Sequence, residues 1–185
     1  NSQLNRYPYA HCETNNFLTD ELTEMLLNNW PGADEFNSNI ESDSISGTTK
    51  DKEHPYNFRY QICLTDQEGI NQIKGEKRLV WQKFTELLCS AQLVQAFVTL
   101  YSSTLLRRFK FRDPNDLITK MNYGPRIHLL HDKTNYSLGP HTDNSGKVIV
   151  ILIYFQSDLE NDTKNSFGTS VYIPKDKGFT CSIGK

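Results

Sequence analysis

Eight apolar residues in a row, Val148-Ile-Val-Ile-Leu-Ile-Tyr-Phe155, constrain this chain more than any other stretch. The run is too short to cross a membrane, and its β-branched residues favour an extended backbone over a helix, so it reads as a strand. Asn144-Ser145-Gly146 supplies turn chemistry just before it. Upstream, Pro140 pushes Gly139 out of the helical region, so the chain approaches His141 extended. A sheet is therefore expected in this part of the molecule.

His141-Thr142-Asp143 lies at the mouth of that expected sheet. Side chains along a strand alternate between faces, so His141 and Asp143 point the same way, and an imidazole and a carboxylate can then share one metal ion. Two histidines and one carboxylate on one side of an Fe(II) ion leave its other positions open for a cosubstrate and oxygen. The tripeptide supplies two of those three donors. Without its flanks, the plainer reading is a loop in which Asp143 makes an Asx-turn over Asn144-Ser145-Gly146.

The flanks carry a resemblance. Asn122-Tyr-Gly-Pro125, then Tyr136-Ser-Leu-Gly-Pro-His-Thr-Asp143, the apolar run, and Phe167-Gly-Thr-Ser-Val-Tyr-Ile-Pro174 follow one another in an order that resembles the 2-oxoglutarate and Fe(II)-dependent oxygenases of the prolyl-hydroxylase-like type. The likeness covers about the last third of the chain. It implies a mostly β fold with supporting helices, a double-stranded β-helix or jelly roll. His141 and Asp143 would be catalytic metal ligands, and Tyr123 and Tyr136 would line the cosubstrate and substrate pockets. Fe(II) and 2-oxoglutarate would be the cofactor and cosubstrate. Molecular oxygen and a peptide or small molecule would be the other reactants, with succinate and carbon dioxide released on hydroxylation. The family also has a distal histidine ligand and an Arg or Lys for the far carboxylate of 2-oxoglutarate. No histidine follows His141 and the last arginine is Arg126, so we expect the sequence to omit the end of a longer protein and the jelly roll to be incomplete. A non-catalytic jelly-roll module binding a sugar or peptide is the alternative.

The rest of the chain reads as support for this sheet. With 37% hydrophobic and 11% aromatic residues, its 185 positions suffice for a single domain with a sizeable core. Positions 1–118 are expected to be mainly helical support and loops, and 119–185 the first part of the jelly-roll core. Thr19 caps an expected helix that carries Leu22, Met25 and Leu26 at helical spacing and stops at Trp30-Pro31-Gly32. Asp34 to Glu53 is polar and reads as a surface loop, and Tyr56 to Leu64 as a strand. Two helices are expected between Glu76 and Phe109, with Ser90 as the boundary cap. Lys120 to Leu130 and Tyr136 to Phe155 are expected strands, with Ile127, Leu129 and His131 sharing one face and His128 and Leu130 the other.

Charge and cysteine usage narrow the partners. A formal charge of −2 offers no general attraction to nucleic acid or to anionic membranes, and neither is an expected partner. The cluster Arg107-Arg-Phe-Lys-Phe-Arg112 has a composition suited to single-stranded nucleic acid. It fits better as a helix C-terminus whose cations oppose the dipole while Phe109 and Phe111 pack inward. Lys147 is a further candidate for a ligand carboxylate, although a lysine at a turn is ordinarily solvated. Cys12, Cys63, Cys89 and Cys181 are widely spaced, as reduced thiols of a cytoplasmic protein would be.

Overall fold

A computed structural model describes residues 4–36, 59–132, 143, 146–155, 169–173 and 175. Helix α1, Asp20–Asn28, starts where Thr19 Oγ1 accepts the N–H of Leu22 at 3.3 Å, with Asp20 and Glu21 in the first turn. Leu26 is its fully buried residue. A single 3₁₀ turn, Ala33–Glu35, follows. Strand β1, Arg59–Cys63, leads directly into α2, Gln67–Gln72. Gly69 makes that tight connection possible, because a Cβ there would stand 2.0 Å from the carbonyl oxygen of Cys63.

Three helices follow: α3, Lys77–Leu88; α4, Ala91–Leu100; and α5, Ser102–Phe109. Ser90 Oγ accepts the N–H of Leu93 at 3.4 Å and so caps α4. The expected second helix is broken at Tyr101, giving α4 and α5 where one was predicted. Lys110 closes α5 in the left-handed region at φ 59°, and the N–H of Phe111 reaches back to the carbonyl of Leu106 at 3.0 Å. Asp113 then caps α6, Pro114–Thr119.

Strand β2, His128–Asp132, pairs antiparallel with β1, in the register Arg59↔Asp132 through Cys63↔His128. Alternation places Ile62 and Leu129 opposite each other and buried, with Tyr60 and His131 on the same side. His131 packs on Phe36 at 5.4 Å between ring centroids. Arg59 and Asp132 form a two-pronged ion pair at 2.6 Å on the opposite side.

Two clusters hold these elements together. The first joins Leu26, Phe36, Ile62, Leu64, Ile70, Ile73, Trp81, Phe84 and Leu129. At its centre Trp81 is fully buried, meets Trp30 edge-on at 5.5 Å, and donates its indole N–H to the carbonyl of Asn29 at 2.7 Å. The second joins Val98, Leu105 and Leu117 from α4, α5 and α6.

The expected jelly roll is contradicted. The described residues are about 44% helical, and their strands are β1 and β2 in one small antiparallel sheet. The run 148–155 forms no strand, nor does the described stretch 120–127. Among the described residues the run makes side-chain contacts with the helical clusters instead of pairing as a strand, and only in part, since Val150, Ile151, Leu152 and Tyr154 stay exposed. Val148 and Ile149 pack against the second cluster, while Ile153 and Phe155 pack against the first. The expected surface loop at Asp34 is also corrected at its start, since Glu35 and Phe36 are buried; positions 37–53 lie outside the described residues.

Candidate functional site

The stretch that follows the motif is held from two directions. Asp143 Oδ1 accepts from the ammonium of Lys147 at 2.7 Å, four residues on, and both side chains remain partly exposed. The guanidinium of Arg108, near the end of α5, donates to the carbonyls of Lys147 at 3.0 Å and Val148 at 3.4 Å. These bonds fasten the segment to the second cluster, into which Val148 and Ile149 insert. Lys147 is thus committed to Asp143 rather than free for a ligand carboxylate.

Two unpartnered polar atoms lie in the neighbouring stretch 123–128. Tyr123 packs against the second cluster, and its buried hydroxyl has no hydrogen-bond partner among the described residues. Burial pushes its pKa up, which keeps it a neutral O–H donor. His128 Nδ1 is likewise buried without a partner. Burial lowers the pKa of His128, the positive charges of Arg126 and Lys147 lower it further, and Asp66 opposes them. His128 is therefore a neutral imidazole in positive surroundings. A buried polar atom without a partner is costly unless something else satisfies it.

Of the residues that the sequence singles out, Asp143 and Tyr123 are described, and His141 and Tyr136 lie outside the described residues. Asp143 meets one condition of a metal donor, being a partly exposed carboxylate that already holds a cationic group. Among the described residues, no three of His, Cys, Asp and Glu come together in a way that could hold a metal ion. One donor does not fix an iron centre, so no coordination geometry is derived. His131 is accounted for by its contact with Phe36.

Sequence reasoning missed the hold of Arg108 on Lys147 and Val148 because those partners lie about 40 residues away, with no local signal. The Asp143–Lys147 pair could have been found from its i,i+4 spacing. No family model, no curated protein and no solved structure matches this chain.

Proposed function

We propose that this chain carries part of the active site of an Fe(II) and 2-oxoglutarate-dependent oxygenase, with His141 and Asp143 as metal ligands and Tyr123 and Tyr136 toward the cosubstrate. The observation that carries the reading is the order and spacing of the motifs from Asn122 to Pro174. Two features of the described residues support it. Asp143 presents its carboxylate at the surface, with a lysine ammonium where a cation could bind. The Tyr123 hydroxyl, raised in pKa by burial and without a hydrogen-bond partner among the described residues, can donate to an acceptor such as a carboxylate.

When bound, iron and 2-oxoglutarate supply the oxidising chemistry, with molecular oxygen consumed and succinate and carbon dioxide released. The chain's own part is to bind and orient. Lys147 keeps Asp143 paired until a cation displaces its ammonium, and Arg108 anchors the backbone that follows. The reading places the protein in the cytoplasm. Among the described residues no helix is long and apolar enough to cross a membrane, and Cys12, Cys63 and Cys89 are free thiols.

Anaerobic titration with Fe(II) and 2-oxoglutarate tests the proposal through the weak visible charge-transfer band of the chelate. The band is expected in the parent protein and absent in His141→Ala and Asp143→Ala. A protein that gives no band, or variants that keep it, would refute the assignment and favour a non-catalytic binding protein.

A further inference from the structure

We infer that the ridge formed by the end of α5 and the turn after it binds an acidic peptide segment and lays it beside Asp143. Arg107, Arg108, Lys110 and Arg112 are all exposed within six residues. Among the described residues, Arg107, Lys110 and Arg112 have no acidic partner. The nearest carboxylates in sequence are already engaged. Asp113 accepts the N–H of Asn115 at 2.9 Å as the cap of α6, and Asp116 pairs with Lys120 at 2.8 Å. A helix C-terminus accounts for cations in its last turn, here Arg107 and Arg108. It does not account for Lys110 and Arg112 beyond that turn. Lys110 even occupies a left-handed position that glycine would take at lower cost.

The ridge is joined to the candidate site by a short path of hydrogen bonds. The Arg108 guanidinium holds the carbonyls of Lys147 and Val148, and Lys147 holds Asp143. Arg126 and Lys147 extend the positive surroundings to His128. An anionic chain lying along the ridge is therefore led to Asp143.

Carboxylates fit this surface better than a stacked nucleic acid. Phe109 and Phe111 are half-buried against the second cluster, 6.3 Å apart, with Arg108 over one ring and Lys120 near the other. They offer no open ring faces for bases, and stacking is what single-strand binders rely on. Planar guanidinium groups at separate points suit carboxylates on a peptide. That the peptide is also the substrate rests on the oxygenase reading; the binding itself does not.

The test is fluorescence anisotropy with a labelled octaglutamate peptide, run alongside an octaglutamine peptide and a labelled single-stranded oligonucleotide. Octaglutamate is expected to bind in preference to both and to lose about tenfold in affinity at high salt. Combining Arg107→Ser, Lys110→Gly and Arg112→Ser is expected to weaken binding about tenfold or more. Lys83→Ser, on α3, is expected to change nothing. Arg107→Ser with Arg112→Ser alone serves if the triple variant fails to fold, and is expected to show a smaller loss in the same direction. No binding, binding indifferent to these variants, or tighter binding of the oligonucleotide would overturn the inference. The charge-transfer titration is a separate readout, so loss of peptide binding with the band intact removes the ridge and leaves the oxygenase reading standing.

Discussion

Replacing Glu35 by alanine removes a carboxylate that clasps three parts of the chain. Its side chain is 2% exposed, and it accepts the N–H of Gly32 at 2.5 Å, the N–H of Lys74 at 2.5 Å and the ammonium of Lys77 at 2.6 Å. Truncation leaves two backbone N–H groups without their acceptor, at roughly 1–3 kcal/mol each. Lys77 is one-third exposed and can turn to water, so its share is small. The expected loss is about 3 kcal/mol, or roughly two orders of magnitude in the folding constant. For a chain of this size that corresponds to a fall in Tm of roughly 6–12 °C. Urea unfolding followed by the fluorescence of Trp30 and Trp81, both close to this clasp, measures it directly. The effect is pH-dependent with a definite sign. Burial alone would raise the Glu35 pKa, but the Lys77 ammonium and the N–H groups of Lys74 and Gly32 outweigh it, and the pKa lies below 4.5. A depressed carboxylate pKa contributes stability that is fully present above the unfolded value and fades as the pH falls through the folded one. The gap between Glu35→Gln and the parent should therefore narrow below about pH 4.5. An unchanged urea midpoint for Glu35→Ala at neutral pH, or a gap that persists in acid, would refute the reasoning.

Two further outcomes are expected. Gly69→Ala forces a Cβ to within 2.0 Å of the Cys63 carbonyl oxygen, so α2 must shift from β1; a loss of about 3 kcal/mol is expected in the same urea assay, and a neutral result would show the approach to be looser. Lys110→Gly relieves a left-handed lysine and should stabilise the protein by roughly 0.5–1 kcal/mol, read as a rise in Tm, while weakening peptide binding.

The helix caps and the strand faces were legible because they depend on near neighbours. Thr19 and Ser90 accept from N–H groups three residues on, as their sequence context requires. Alternation put Leu129 and His131 on one face of the strand, and in β2 Leu129 packs in the first cluster while His131 meets Phe36. What was not legible depends on distant partners. Tyr101 breaks the long helix without a glycine or proline; there its hydroxyl meets the thiol of Cys12 at 3.2 Å, and burial followed by that contact pushes its pKa up to about 12. Glu35 looked like part of a polar loop because Lys74 and Lys77 lie about 40 residues further on. The jelly roll was implied by the resemblance carried by the motifs from Asn122 to Pro174, and the apolar run among them has a composition that cannot distinguish partial packing against helices from pairing in a sheet. At the candidate site, Asp143 was found in an exposed ion pair and Tyr123 in a packed cluster, whereas the surroundings set by Arg108 and Arg126 had no local signature.

The run from Val148 to Phe155 touches both apolar clusters, and this gives the molecule's unfolding a particular character. Two small cores with separate helices would ordinarily melt as independent units, each with its own opening free energy. A single segment rooted in both makes release of one raise the cost borne by the other. Amide exchange in α3 and α6 should then respond together to truncation of Val148, Ile149, Ile153 or Phe155, the residues of the segment that pack against the clusters. The stretch whose apolar composition suggested a strand acts instead as the cooperative link between two cores.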